Sequence, residues 1–125
     1  MESEGFPILI INFPGLDQIV SEICESQPAG NGFYHADEFE TSLVLAIHPE
    51  GVQMQKAVPV YPEIPSGQEG ETVFISSFNP IGSFGDPTKA TAEKGERLLS
   101  ELVKKSMELV NPFIETIRTR TNTKK

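Results

Sequence analysis

The sequence predicts a single α/β domain. Three observations carry that prediction: a continuously apolar, β-branched run near the start, two amphipathic helical stripes, and a long apolar stripe opened by an Asp-Pro start signal. At 125 residues the chain can bury one ordinary core and is too short for two.

Ile8-Leu9-Ile10-Ile11 has the pattern of a strand covered on both faces, as in parallel sheets, and is read as a central strand. Only Met1 to Pro7 precede it, the pattern of a domain with something lost upstream. After the Pro14-Gly15 turn, apolar residues recur at Leu16, Ile19, Val20, Ile23 and Cys24, one face of a helix. Pro, Gly and Asn between Gln27 and Gly32 mark a loop. A second helix follows, with Asp37, Glu38 and Glu40 in its first turn, where the helix dipole favours negative charge, and with Phe39, Leu43, Ala46 and Ile47 at helical spacing. It should end near His48-Pro49, because proline disfavours helical geometry in the residue before it. Val52 to Gly70, with five Pro and Gly residues from Pro59 onward, reads as a long surface excursion. Val73 to Phe78 is the next strand candidate, and Asn79 to Gly85 a turn-rich connection.

The strongest helix signal is Asp86-Pro87, a capping acceptor followed by proline where a missing N–H costs nothing. Its stripe holds Leu98, Leu99, Leu102, Val103, Leu109, Val110, Phe113, Ile114 and Ile117, and Pro112 should kink or restart it. From Arg118 to Lys125 the chain reads as a disordered basic tail. No internal repeat at a fixed period is present.

Charge narrows the function classes. A net charge of -8 and a pI near 4.7 argue against nucleic acid, whose binders concentrate Lys and Arg. No segment approaches the roughly 20 apolar residues needed to span a bilayer, so no membrane role is expected. Cys24 is the only cysteine, which excludes an internal disulfide and points to a reducing, cytoplasmic setting. On the buried side of its helix, with no basic neighbour in sequence, its thiol is read as core and not as a nucleophile.

One patch concentrates candidate chemistry: His35-Ala36-Asp37-Glu38-Phe39-Glu40. An imidazole just before a helix carrying Glu38 and Glu40 can meet carboxylates at the helix N-terminus, to bind a divalent ion or move protons. The structural alternative is that the three acids complement the dipole and His35 packs beside the turn, since a single His-x-x-Glu is common by chance. His48, near a helix C-terminus, is read as a surface histidine without a role. The Gly82-Ser83-Phe84-Gly85 turn is read as structure and not as a phosphate cradle, because it lacks the P-loop Lys and Asp86 would repel an anion.

The segment from His35 to Ala46, followed by Pro49-Glu50, resembles the His-Ala-Gly-Glu-x-Glu-Thr-Ser signature of the creatininase family. A second segment, Gly85-Asp86-Pro87-Thr88-Lys89-Ala90-Thr91-Ala92-Glu93-Lys94-Gly95, resembles that family's Gly-Asp-Pro-x-x-Ala-x-x-Glu-Lys-Gly block. The similarity runs from about Pro7 to Ile117 and corresponds to the C-terminal half of the usual domain, so residues 1–125 are read as one partial domain. The resemblance implies a three-layer α/β/α fold and a metal-dependent amidohydrolase acting on a non-peptide C–N bond in a cyclic amide or formamide. It also implies a divalent metal (Zn, Mn or Fe), a small-molecule amide substrate, and a homo-oligomer or pairing with an N-terminal half.

Carried over by position, His35 matches a family histidine beside the substrate, Glu38 a carboxylate near the metals, and Glu40 the acid of the Glu-Thr-Ser triplet, second to the ligands or capping. The family's Glu-x-His and Gly-His ligand segments have no match, because His35 and His48 are the only histidines. Tyr34 stands where creatininase proper has its acidic general base, which argues against creatinine as the substrate. Three readings follow: the substrate-side half of a hydrolase, a catalytically silent remnant or assembly module of that fold, and an unrelated α/β binding domain.

Overall fold

A computed structural model describes residues 7–29, 34–63, 65 and 74–122. Three α-helices organise them: α1 (Leu16–Ile23), α2 (Glu38–Ile47) and α3 (Ala92–Asn122). The amphipathic stripes found their partners. Ile19, Val20 and Ile23 of α1, Phe39 of α2, and Leu98 and Leu102 of α3 form the buried cluster, with Leu16, Cys24, Tyr34 and Leu43 packed around it. Each such side chain contributes about 1.5–3 kcal/mol by leaving water.

The expected α/β class, with its three-layer α/β/α sheet, is corrected. Among the described residues there is no strand and no sheet; isolated antiparallel bridges join His35 with Phe84 and Val60 with Gly85. A strand is stable only where its N–H and C=O groups find a neighbouring strand. The run read as a central strand has no such neighbour among the described residues, and Ile8 and Ile10 are 77% and 87% exposed. The second strand candidate is instead extended only at Phe74 and then forms a 3-10 turn, Ile75–Ser77; Val73 lies outside the described residues.

Two further corrections concern α3. Asp86 caps as expected, its side chain accepting from the Thr88 N–H at 3.0 Å, but what it caps is a 3-10 turn, Pro87–Lys89. The long helix starts after Thr91, whose hydroxyl oxygen accepts from the Lys94 N–H at 3.1 Å. It continues as one helix through Pro112 and includes Arg118 and Arg120. Thr116 Oγ1 donates to the Pro112 carbonyl at 2.9 Å, a local hydrogen bond just past the proline. No helix among the described residues is long and apolar enough to cross a membrane.

Cys24 lies half-buried against the core. Burial first, then the negative charges of Glu38 and Asp37, push its thiol from 9.0 up to about 12. Because the thiolate is the reactive form, native Cys24 should react with iodoacetamide about a thousandfold more slowly than an ordinary thiol of that starting value. Mass spectrometry of alkylation in buffer and in urea checks this; equal rates would contradict the burial.

Candidate functional site

The site grows from the way α2 starts. Asp37 is its N-cap, with the side chain accepting from the Glu40 N–H at 3.0 Å. Glu40 answers by reaching back, its Oε2 accepting from the Ala36 N–H at 2.6 Å. Two amides of the helix entry are thus satisfied reciprocally, in the manner of a capping box. Between them Ala36 adopts a left-handed conformation, φ 48°, which an L-residue holds only when its surroundings impose it. Here the imposition is visible on both sides: the Glu40 carboxylate holds the Ala36 amide, and the His35 carbonyl accepts from the Phe84 N–H at 2.8 Å.

His35 therefore stands on a pinned backbone with its side chain 54% exposed. Its ring lies against Phe84, centroids 6.2 Å apart, and its Nδ1 is 3.8 Å from Glu40 Oε2. Phe84 itself is buried, and the next residue, Gly85, runs at φ 116°, where a Cβ would come within 3.0 Å of Asp37 Cβ. Glycine is required there for both reasons. The turn from Asn79 to Gly85, read from sequence as structure, is the wall that fixes His35; the Asn79 side chain ties it by donating to the Ser83 carbonyl at 2.6 Å and accepting from the amides of Ile81 and Gly82.

Glu38 occupies a different environment. It is 1% exposed. Its Oε1 accepts from Lys94 Nζ at 2.6 Å and the Glu25 N–H at 3.1 Å; its Oε2 accepts from the Ser26 N–H at 2.7 Å and the Glu25 N–H at 3.0 Å. Burial alone would raise its pKa, but the Lys94 ammonium and the Ser26 and Glu25 donors outweigh burial and hold the carboxyl below its ordinary value. Lys94 is held above its ordinary range: burial opposes the charge, and the Glu25 and Glu38 carboxylates overcome it. Asp37 moves the other way, because burial raises it more than its backbone hydrogen bonds lower it.

The structure thus brings the two quoted segments together, Glu38 from the first and Lys94 from the second. Neighbouring positions complete the junction. Ser42, fully buried, accepts at Oγ from the Thr91 N–H at 3.2 Å. Gly95 crosses α2 so closely that a Cβ would sit 2.6 Å from the Ser42 carbonyl carbon and 2.8 Å from Ala46 Cβ. Sequence reasoning gave Lys94, Ser42 and Gly95 no role; their signal was their place in the two resembling segments. Tyr34 turns away from His35: its hydroxyl donates to Asp17 Oδ1 at 3.0 Å, and burial followed by that bond pushes it up to about 12, unsuited to serve as a base. His48 pairs with Glu50 at 3.0 Å on the exposed far end of α2.

Of the residues predicted for the site, His35 and Glu40 adjoin, while Glu38 faces inward to Lys94. Among the described residues no three His, Cys, Asp or Glu groups converge on a position for a metal ion. A hydrolytic ion needs three or more protein donors with a position left open for water, and a buried carboxylate already taken by an ammonium and three backbone hydrogen bonds does not supply one. The donors present do not fit the divalent metal that the resemblance implies.

Comparison with known proteins decides the lineage. A model of the creatininase family, described as creatinine amidohydrolase, matches residues 9–110. The chain belongs to the creatininase family. Two curated relatives carry the name mycofactocin precursor peptide peptidase. That of Mycobacterium ulcerans (strain Agy99) is 39% identical over 80 residues, 60% of this chain and 31% of the relative. That of Mycolicibacterium smegmatis (strain ATCC 700084 / mc(2)155) is 36% identical over 74 residues, 55% of this chain and 29% of the relative. The creatininase-family chain thus spans about a third of the length of the curated relatives it matches. No solved structure matches it.

Proposed function

We propose that this chain carries the His35-bearing part of a creatininase-family amidohydrolase site, which hydrolyses an amide C–N bond. The observation that carries the reading is the contrast within one motif. Asp37 and Glu38 are buried, whereas His35 carries a 54% exposed side chain on a backbone pinned from both sides. In that place an imidazole, which carries both a donor and an acceptor nitrogen, can hold a substrate amide or pass a proton to the leaving nitrogen. Glu40 Oε2, 3.8 Å from Nδ1, lies close enough to bias the ring's orientation.

The metal donors of such a site, Zn, Mn or Fe being the ions the resemblance implies, belong in this proposal to polypeptide beyond the described residues, whether an N-terminal half or another subunit of a homo-oligomer. The substrate class follows the relatives: their name, peptidase, favours a peptide-type amide over the cyclic amide suggested by the family description. A single cysteine with a suppressed thiol suits the cytoplasm.

A second reading, a silent assembly module, draws on the exposed Ile8, Ile10, Val103 and Ile114, which are apolar surface suited to another chain. The two separate in one experiment. The chain is mixed with Mn2+ or Zn2+ and with the part of the M. ulcerans relative outside the matched segment, and amine release from peptide amides is followed by mass spectrometry. The expected result is turnover in the complex, none from the chain alone, and a loss of about 100-fold or more with His35→Ala. Turnover by the chain alone with one ion bound would overturn the divided site, and a complex without turnover would favour the assembly module.

A further inference from the structure

We infer that Glu38 and Lys94 form a buried latch that joins the two signature segments and sets the position of His35, so that Glu38 is a positioning residue and not a metal ligand. The inference rests on the proposed function in one respect only, that His35 is the group whose position counts.

Three observations carry it. A carboxylate offers about four lone-pair sites, and all four of Glu38's are used by donors of this chain: Lys94 Nζ, the Ser26 amide and, through both oxygens, the Glu25 amide. The place where a ligated cation would sit is held by an ammonium 2.6 Å away, inside a pocket that leaves Glu38 1% exposed.

Lys94 is equally saturated. An ammonium has three protons, and its three acceptors are Glu38 Oε1 at 2.6 Å, Glu25 Oε2 at 2.8 Å and the Lys89 carbonyl at 2.8 Å. Each acceptor lies on a different piece of chain: the start of α2, the segment leaving α1, and the turn ahead of α3. One side chain therefore ties three segments at a single point.

That point is coupled to His35 along two short paths. Through α2, Glu38 is preceded by Asp37 and Ala36, whose positions are fixed by the reciprocal bonds with Glu40. Through the other segment, the chain from Phe84 to Lys94 holds the His35 carbonyl at one end and Glu38 at the other. Release of the latch frees the start of α2 from α3 and lets the His35 loop shift against Phe84.

Nuclear magnetic resonance tests both halves on the intact chain, because only two histidine rings exist and His48, paired with Glu50 at the opposite end of α2, is an internal control. In the wild-type chain, hydrogen-bonded Lys94 Nζ protons and the Glu38 carboxyl carbon are expected to stay sharp as Mn2+ is added. Saturable broadening of the Glu38 carboxyl with loss of the Lys94 signal would make Glu38 a ligand and end the proposal.

Lys94→Met is expected to move the His35 ring signals and leave those of His48 in place. Lys94→Arg, which keeps a cation beside the buried carboxylate but lengthens its reach, is the second variant should Lys94→Met not fold, and it too should move His35 alone. Unchanged His35 signals in a folded variant would overturn the positioning role. Neither measurement reads turnover, so the latch and the hydrolase reading can fail separately.

Discussion

Gly95→Ala is expected to destabilise the chain by about 3 kcal/mol or more, enough to unfold much of a marginally stable domain at 37 °C. The reason is backbone and not side-chain crowding. A methyl at position 95 points at the Ser42 carbonyl, with the carbonyl carbon 2.6 Å and Ala46 Cβ 2.8 Å away. A flexible side chain could rotate aside, but a helix carbonyl cannot. Relief would have to push α2 and α3 apart, opening the cluster of Phe39, Leu98 and Leu102 and breaking the Thr91 to Ser42 hydrogen bond. In an ordinary exposed helix interior the same substitution would help by about 1 kcal/mol, so the sign of the effect is itself diagnostic. Urea denaturation of the two proteins followed by circular dichroism measures it; a stabilised variant would show that the helices do not cross there.

Lys94→Met carries the second large effect, a loss of about 3–5 kcal/mol at neutral pH, because it strands a buried carboxylate. Its pH dependence has a definite sign. Glu38 is held below its ordinary value of 4.5 in the folded chain, so its contribution is complete above that value and is lost as pH falls through the lower folded pKa. Lys94 is raised above its ordinary 10.5, so its contribution is present below that value and is lost as pH rises through the folded pKa. Asp37, raised from 3.8, works in the opposite sense to Glu38: its protonation relieves a buried charge and adds stability on acidification. The gap between wild type and Lys94→Met should thus be widest between about pH 5 and 10 and narrow toward pH 3. Melting curves at pH 3, 5, 7 and 9 read it directly, and a gap independent of pH would mean that the pair is not what the substitution removes.

Parts of this molecule were legible because they are local. Leu16, Ile19, Val20 and Ile23 declare a helical face within eight residues, and Asp37 and Glu40 declare a cap within four. The strand candidates failed for the complementary reason. Composition at Ile8 to Ile11 reports a preference for extended backbone, but a sheet is a property of neighbours, which sequence spacing does not show. The site divides the same way. His35 and Glu40 are legible as neighbours in the sequence, since they sit five residues apart, whereas the partner of Glu38 lies 56 residues downstream. The family resemblance singled out Lys94-Gly95 as a segment without saying that one residue neutralises a buried acid and the other lets two helices touch.

α3 spans 31 residues, about 46 Å, yet its fully buried apolar residues, Leu98 and Leu102, lie in its first third, and Val103, Met107, Leu109 and Ile114 stand exposed beyond them. A free peptide of that later sequence, interrupted by Pro112, would barely hold a helix in water. Its winding is therefore borrowed from the anchored end, where the costly nucleus already exists. Unwinding should proceed like a zipper from Asn122 inward and stall near Leu102, so that the far end of the longest element breathes while the junction around Lys94 stays shut.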